Sequence, residues 1–306
     1  MTYAELHRSF VAFRRGKRVS RDLVEFEYDL AQNLLTLLNE INRGEYRHGP
    51  YRALTISDRK RRDLAIAAIR DRIVHRYIYD CLVRKYDRTF DPDVFSSRPG
   101  KGLHRALVRV QDLLIRHPDS TIWRLDIHKF FSHVDHEVMK YILAKRASPL
   151  LSLCNEVIDS FMPGLPLGNL TSQVFANLYL NEFDRYVHHT IKPQAFVRYG
   201  DDMVLFARNS CLARTYREQG NAFLRSHLKL TLNPKNNLIV SSGCPLCFLG
   251  HVVTGRNIEV DRHTEKSVLG KLDLGNVASY KSLYLSEPSK STIDHHILSC
   301  ILGIIE

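Results

Sequence analysis

Two apolar segments rich in β-forming residues, 196–199 and 203–207, are separated only by Gly200, Asp201 and Asp202. This pattern predicts a β-hairpin, and glycine at the first central position of a two-residue loop favours a type II′ turn, which needs a positive φ there. Two adjacent carboxylates at the tip of a hydrophobic hairpin repel each other unless a cation or solvent compensates them. The pair indicates either a cation site or an ordinary turn, since Gly and Asp are common in turns.

A third carboxylate stands at the end of another strand pattern. Residues 121–125 resemble a short β-strand, Asp126 closes it, and the aromatic pair Phe130 and Phe131 follows. If this strand neighbours the hairpin in a sheet, its carboxylate lies beside the two at the hairpin tip. Mg²⁺ prefers oxygen ligands, and two such ions about 3.5–4 Å apart stabilise the attacking and leaving oxygens of a phosphoryl transfer. Three converging carboxylates therefore predict a metal site of the kind that a polymerase requires.

The overall charge favours a polyanionic partner. The chain has 306 residues with 44 Lys plus Arg against 33 Asp plus Glu, a formal net charge of +11. Nucleic-acid-binding proteins have such a balance, although a solvated basic surface gives the same count. No apolar signal-type run opens the sequence, residues 297–305 are fewer than the about 20 that a bilayer span takes, and the six cysteines are scattered. We therefore expect a cytoplasmic protein with no membrane partner.

Three segments resemble, in order and spacing, the palm motifs of the reverse transcriptases: residues 124–136, residues 164–173 and Tyr199-Gly200-Asp201-Asp202. The resemblance extends over residues 45–255. It implies an α+β fold of the right-hand polymerase type, with fingers, a ferredoxin-like palm built from an antiparallel sheet plus helices, and a small helical thumb. The expected subdomains are a basic helical extension (1–45), fingers (46–120), palm (121–261, interleaved with fingers around 137–165) and thumb (262–306).

The resemblance also implies the reaction and its metal ligands. RNA-directed DNA polymerases of this family hold two Mg²⁺ ions, for which Mn²⁺ is the expected substitute. Asp126 and Asp201 would bind both ions, with the Ile127 carbonyl as a further ligand. Asp202 would contribute less directly, because neighbouring residues on a strand point to opposite faces. The implied partners are dNTPs, an RNA template and a DNA primer or product.

Several segments contribute to the nucleotide site that the resemblance implies. Four consecutive cations, residues 59–62, stand where the family binds the triphosphate, although a basic β-turn would have the same sequence. Phe131, five positions after Asp126, matches the aromatic ring that excludes a ribose 2′-hydroxyl, and the fourth palm motif places a lysine near the leaving pyrophosphate. The nucleotide-binding residues expected on this basis are Lys60, Arg62, Phe131, Leu167, Gly168 and Lys235.

Template and primer contacts are expected from other segments. A Gly-rich basic loop precedes a helix near residue 103, and the N–H groups at a helix start favour phosphate. Residues 248–251 resemble the hairpin that grips the primer end. The residues expected to contact template or primer are Arg72, Arg98, Lys101, Gln173, Phe248, Leu249 and Gly250.

The second palm motif departs from the usual Gln-Gly-x-x-x-Ser-Pro pattern, because Leu167 replaces the Gln and Gln173 replaces the Pro. This form is similar to bacterial reverse transcriptases of diversity-generating retroelements, which copy RNA with errors at adenines, and to unknown-group enzymes linked to phage defence. Exchanging a hydrogen-bonding Gln for Leu removes a polar positioning contact, so lower fidelity is expected. The resemblance further implies a small accessory protein or a structural non-coding RNA as partner.

Alternatives remain open from the residues alone. The chain is either an RNA-directed DNA polymerase, an RNA-dependent RNA polymerase, or a nucleic-acid-binding scaffold with an inactive polymerase fold. Aromatic residues rather than a second acid after Asp126 argue against the RNA polymerase, and the three intact acids argue against the scaffold. A string of Cys244, Cys247 and His251, with His263 nearby, also has spacing suited to zinc.

Apolar periodicity predicts further helices. One runs through Leu30, Leu34, Leu37, Leu38 and Ile41 and ends at Gly44, and another covers residues 212–228. A third follows the second palm motif, with Thr171 or Ser172 as its N-cap.

Overall fold

The computed structural model describes residues 1–57, 61–146, 148–270 and Leu283. The chain divides into two compact units. The first unit comprises Met1–Asp91, Ile127–Thr190 and Gly220–Thr231. The second comprises Pro92–Asp126, Ile191–Gln219 and Leu232–Glu306, and from its last segment the description covers residues 232–270 and Leu283.

Both units combine helices with antiparallel strands. The helices are α1 (Tyr3–Arg14), α2 (Arg21–Tyr28), α3 (Leu30–Arg43), α4 (Ile69–Tyr86), α5 (Leu103–Arg116), α6 (Phe130–His133), α7 (His136–Arg146), α8 (Leu151–Asp159), α9 (Leu170–Tyr186), α10 (Ser210–Leu228) and α11 (Arg262–Leu269). The strands are β1 (Arg52–Ser57), β2 (Arg61–Ile66), β3 (Thr121–Asp126), β4 (Ala195–Tyr199), β5 (Asp202–Ala207), β6 (Leu238–Ser241), β7 (Leu246–Phe248), β8 (His251–Val253) and β9 (Ile258–Val260).

The first unit is built around the long helices α4 and α9, which pack on each other, and α1 also packs on α4. Ile73, Val74 and Ile78 of α4 are fully buried. The predicted helix that ends at Gly44 is confirmed as α3, because Gly44 adopts φ +72° as a left-handed C-cap. The four cations at residues 59–62 stand between or within two strands, as β1 pairs antiparallel with β2.

The predicted N-cap of α9 is wrong. The helix begins at Leu170 after the extended residue Asn169, so Thr171 and Ser172 lie inside its first turn and are 1% and 2% exposed. The Asn169 side chain makes no capping hydrogen bond, and its Nδ2 donates to the Ala65 carbonyl of β2 at 2.8 Å. The residue before this helix is thus hydrogen-bonded to a strand more than 100 residues earlier.

The second unit contains a four-stranded sheet in the order β4-β5-β3-β6, with antiparallel neighbours throughout. Counted along the chain, these strands have the 4-1-3-2 order of the ferredoxin-like palm that was predicted. Its core includes Leu107 and Val110 of α5, Ile122 of β3, and Val204 and Phe206 of β5. The predicted helix after the hairpin is confirmed as α10, which links β5 to β6.

A small three-stranded sheet, β7-β8-β9, completes the described part of the second unit. Leu249 and Gly250 connect β7 to β8 with φ +52° and +75°, and two positive φ angles are typical of a type I′ hairpin turn. The predicted thumb lies mostly outside the described residues, which include α11 and Leu283 from it. The four subdomain boundaries stay predictions. None of the helices in the described residues has the length and apolarity that a membrane span needs.

Candidate active site

The acidic hairpin has the predicted turn. Tyr199 and Asp202 are register partners, so Gly200 and Asp201 form a two-residue loop between β4 and β5. Gly200 has φ +64°, the left-handed region that a type II′ turn requires at this position. An L-residue with a side chain would be strained here, which explains the glycine before the two acids.

The structure brings the three predicted acids together. Asp126 ends β3, Asp201 lies in the turn, and Asp202 begins β5 in direct register with Asp126. Each offers one carboxylate oxygen, and these three oxygens lie within 4.8 Å of one another. All three residues are half-buried. Three negative charges at this separation repel each other, so the arrangement favours a compensating cation.

A smaller role for Asp202 requires that Asp201 and Asp202 are neighbours on a strand and point to opposite faces. Asp201 instead lies in the turn, where strand alternation does not hold, and Asp202 faces the same side as its partner Asp126. Both hairpin acids therefore contribute an oxygen to the cluster.

Two asparagines that the sequence interpretation missed hold Asp126. Asn233 Nδ2 donates to Asp126 Oδ2 at 2.8 Å, and Asn236 Nδ2 donates to the same oxygen at 3.0 Å. Asn233 precedes the 3-10 turn Pro234–Asn236, and Asn236 is its last residue. Lys235, which was the candidate of this segment, is exposed between them. The available signal was the i, i+3 spacing of two amides, because a 3-10 turn places such residues on one side.

Arg198 is a second residue that the sequence interpretation missed. It belongs to β4 next to the acidic turn and is fully buried, and its Nη1 donates to the Gly200 carbonyl at 3.2 Å. Its main chain also pairs with residues 93–95. Phe95 N–H donates to the Arg198 carbonyl, and Arg198 N–H donates to the Asp93 carbonyl, each at 2.9 Å. The guanidinium thus supports the turn that carries Asp201.

The predicted sugar-selecting residue, Phe131, belongs to the first unit. Its ring is half-buried and meets the buried Phe130 ring edge-on, with centroids 5.4 Å apart. Its carbonyl accepts from Leu165 N–H at 2.7 Å, which connects the first palm motif to the second. This contact anchors the backbone at Phe131.

Gly164 makes that connection possible, and its replacement is expected to be costly. A Cβ at Gly164 would lie 2.2 Å from the Phe131 carbonyl oxygen, and φ is +75°. Gly164→Ala should destabilise the protein by about 3 kcal/mol and lower the melting temperature by about 5 °C. The matched control is Gly16→Ala, because Gly16 has a similar φ of +69° with nothing within 4 Å of its Cβ position. Equal melting temperatures for the two variants would contradict this steric explanation.

The remaining nucleotide-binding candidates are placed only in part. Lys60 lies outside the described residues, and for Arg62 the structure describes only the backbone, which pairs with Ile56 across the β1–β2 hairpin. Leu167 is half-buried and its carbonyl accepts from Ala65 N–H at 3.1 Å. Gly168 is exposed with φ +94°. Their roles stay predictions.

A cationic cavity in the first unit includes two template candidates. Its volume is about 290 Å³, and Arg72, Gln173, Arg15 and Lys17 contribute to its lining. The Arg72 guanidinium lies over the Phe13 ring at 4.9 Å. Burial and the nearby Arg52 lower the pKa of Arg72. Arg15 and Lys17 come from the basic cluster of the N-terminal extension, so this cluster has a defined neighbour in the fold.

The template and primer candidates of the second unit have mostly internal contacts. Arg98 Nη1 donates to the Val94 carbonyl at 2.9 Å, and Lys101 Nζ donates to the Pro92 carbonyl at 2.6 Å. Both bonds hold the Gly-rich loop before α5. Phe248 is fully buried in the core, so a primer contact there would have to come from the backbone or from Leu249 and Gly250 in the adjoining turn.

The cysteine and histidine string does not assemble a zinc site in the described residues. Cys247 is exposed, and both His251 ring nitrogens face carbonyl oxygens, Nδ1 that of Leu249 at 3.0 Å and Nε2 that of Leu283 at 2.9 Å. Within the described part of the chain, the one cluster of metal-ligating groups is the acidic triad. The zinc interpretation of this string therefore has no support in the described residues.

The donor set of the triad fits a divalent metal. Carboxylate oxygens are hard ligands suited to Mg²⁺ or Mn²⁺. Asp126 Oδ2 accepts hydrogen bonds from two side-chain amides. Metal ligands in proteins are commonly oriented by such neighbouring groups. The site is thus compatible with the expected divalent cofactor.

Solved structures share the architecture of this chain. Telomerase from Candida tropicalis, truncated from its C-terminal domain, matches with a TM-score of 0.54 at 10% identity over 73% of this chain and 59% of the telomerase. Telomerase from Candida albicans in complex with a fragment of telomeric RNA matches with a TM-score of 0.54 at 11% identity, over 80% of this chain and 52% of that chain. At such low identity the likeness shows the fold alone, and it confirms the predicted α+β right-hand polymerase.

Sequence comparison identifies the family. The model of the reverse transcriptase (RNA-dependent DNA polymerase) family matches residues 56–253, and the chain belongs to this family. It is 27% identical over 272 residues to the protein YkfC of Escherichia coli K12, covering 72% of this chain and 71% of YkfC. It is 20% identical to the group II intron-encoded protein LtrA of Lactococcus lactis, covering 74% of this chain but only 50% of LtrA. The recognised resemblance to bacterial reverse transcriptases is confirmed, while the retroelement or defence subtype stays a prediction.

Proposed function

We propose that this chain synthesises DNA on an RNA template. The observation that carries the proposal is the convergence of Asp126, Asp201 and Asp202 within 4.8 Å in a member of the reverse transcriptase family. A structural scaffold has no need of three half-buried acids that repel one another. A polymerase needs them, because they would hold the metal ions that stabilise the negative charge developing on the phosphate oxygens.

In the proposed reaction the primer 3′-hydroxyl attacks the α-phosphorus of a dNTP, and pyrophosphate leaves. Asp126, Asp201 and Asp202 would hold two Mg²⁺ ions, for which Mn²⁺ would substitute, with the Ile127 carbonyl as a further ligand. When bound, the ions supply the positive charge that activates the hydroxyl and stabilises the leaving group. Lys60, Arg62 and Lys235 would neutralise the triphosphate and pyrophosphate, and Leu167 and Gly168 would line the nucleotide.

The choice of dNTP over NTP is assigned to Phe131. Its ring is fixed from one side by Phe130 and its backbone by Leu165, so it cannot easily move away from a ribose 2′-hydroxyl. This residue is the reason to favour a DNA polymerase over an RNA-dependent RNA polymerase.

Basic charge and the cationic cavity of the first unit support an RNA template as partner. The formal net charge is +11, and Arg15, Lys17 and Arg72 lie at one cavity. The Candida albicans telomerase was solved with RNA, and this chain shares its fold. We place the template near Arg72 and Gln173, and the primer near Leu249 and Gly250. Arg98 and Lys101 would touch the template backbone. A non-coding RNA or a small accessory protein would complete the complex in the cytoplasm.

Low fidelity is the expected consequence of Leu167. On a defined RNA, cDNA errors should be more frequent opposite adenines than opposite the other bases. Leu167→Gln should lower the error frequency by about tenfold, because it restores one polar positioning contact. The Ala65 N–H bond to the carbonyl of residue 167 would survive this change. Sequencing of the products tests this, with Leu167→Met as the control of similar size, and equal error rates at all four bases would remove the mutagenic interpretation.

Primer extension by the purified full chain tests the function itself. A labelled DNA primer on an RNA template, with Mg²⁺, should be extended with dNTPs. Extension with NTPs alone would favour an RNA-dependent RNA polymerase. Tight RNA binding without extension under either condition would favour the inactive scaffold.

A further inference from the structure

We infer that Asn233 and Asn236 are positioning residues that orient the Asp126 carboxylate for metal binding, a role that rests on the polymerase function proposed above. Both side-chain amides donate to Asp126 Oδ2, at 2.8 and 3.0 Å.

The segment that carries the two amides is fastened to β3 at several points. Asn233 N–H donates to the Asp126 carbonyl at 2.8 Å. Asn233 Oδ1 accepts from Lys235 N–H at 3.2 Å, which closes the 3-10 turn. Asn237 Oδ1 accepts from the indole Nε1 of the buried Trp123 at 2.8 Å. The strand β6 then begins at Leu238 in register with Arg124. The turn that carries the amides is thus held to β3 by backbone and side-chain hydrogen bonds and leads directly into β6.

Two donors on one oxygen give Asp126 a defined orientation. Amide N–H groups that bond one oxygen of a carboxylate hold its rotamer. Because both donate to Oδ2, Oδ1 remains as the oxygen that Asp126 offers to a metal. The amides also compensate part of the repulsion among the three acids, so the cluster keeps its short separations before a metal arrives.

The consequence is a dependence of metal affinity on residues that do not touch the metal. Removing a group that is hydrogen-bonded to a metal ligand commonly lowers metal affinity by about 10–100-fold. We expect the loss of one amide here to have an effect of this order. The effect should appear in metal binding itself and not only in the rate of DNA synthesis.

The test measures Mn²⁺ binding to the full chain by electron paramagnetic resonance, without nucleotide or nucleic acid. Asn236→Ala and Asn233→Ser should each raise the Mn²⁺ dissociation constant by about tenfold. Serine at 233 keeps a hydroxyl that can accept from Lys235 N–H. The matched control is Asn237→Ala, which removes an amide of the same segment that bonds Trp123 instead of Asp126, and its dissociation constant should stay within about twofold of wild type.

A second readout separates positioning from a loss of structure. The Mg²⁺ concentration for half-maximal primer extension should rise by about the same factor in Asn236→Ala and Asn233→Ser, with the rate recovering at high Mg²⁺. Melting temperatures show whether each variant folds, and Asn236→Ser replaces Asn236→Ala if that variant does not.

The outcomes distinguish this inference from the proposed function. Wild-type Mn²⁺ affinity in both variants, or an equal loss in Asn237→Ala, would overturn the positioning role even if the enzyme synthesises DNA. The polymerase function would be overturned if the wild-type chain extends no primer. If the Mn²⁺ dissociation constants of wild type, the two variants and the control still differ as expected, the positioning role would remain in place. A wild-type chain that binds no Mn²⁺ without nucleotide would overturn the positioning role, while the polymerase function is decided by primer extension alone.

Discussion

Asp201→Asn should reduce primer extension by about 10³-fold or more, equivalent to about 4 kcal/mol of transition-state stabilisation. The substitution keeps the size of the side chain but removes one of three charges whose oxygens lie within 4.8 Å of one another. Gly200 still forms the turn, so the backbone at the site is unchanged. The loss should therefore be chemical and not structural.

The thermal stability of Asp201→Asn should not fall with its activity. Removing a negative charge from a cluster of three relieves repulsion, so the melting temperature of Asp201→Asn should equal or slightly exceed that of wild type. The matched control is Asp119→Asn, the same exchange at an exposed position of the second unit, and its activity should be that of wild type. Undiminished synthesis by Asp201→Asn, measured as single-nucleotide incorporation under excess enzyme, would remove Asp201 from the site.

Phe131→Ala should raise the ratio of ribonucleotide to deoxyribonucleotide incorporation by about 10²-fold, because it removes the ring expected to collide with a 2′-hydroxyl. Most of the change should be a gain in kcat/KM for the NTP, with a smaller loss for the dNTP. The ring is half-buried against Phe130, so the variant should also lose about 1–2 kcal/mol of stability.

A substitution at the neighbouring ring distinguishes a change in sugar selection from a general loss of stability. Phe130→Leu disturbs the same ring pair at the fully buried position, and should lower stability without changing the ratio. Incorporation of one dNTP and the matching NTP, each over a range of concentrations, gives both values of kcat/KM. If Phe131→Ala and Phe130→Leu discriminate between sugars as wild type does, Phe131 is only part of the core.

Local rules predicted the hairpin well. The two apolar segments, the glycine and the adjacent acids determine a two-residue turn, because φ at Gly200 and the alternation of each strand depend on residues within a few positions. The same holds for the end of α3 at Gly44. The family resemblance supplied the order of the motifs and the right-hand polymerase fold.

Predictions that depended on distant neighbours were less successful. The N-cap of α9 was expected at Thr171 or Ser172, but the helix begins at Leu170, and Asn169 before it bonds a carbonyl of β2 that no local pattern reveals. Phe248 was expected at the primer, yet its side chain fills the core. The fully buried Arg198 beside the acidic turn was not expected, since a charged residue next to a loop usually faces solvent.

The amino-acid sequence alone determined which acids this protein brings to its site, the turn that carries two of them, and the family to which the chain belongs. Only the tertiary structure decided that Asp202 faces the same side as Asp126, and that two amides 107 and 110 residues away hold one oxygen of Asp126. Backbone preferences act over a few residues and can be predicted from them. The orientation of a carboxylate depends on donors that the path of the whole chain carries to it, and that path is set by the packing of the entire sheet.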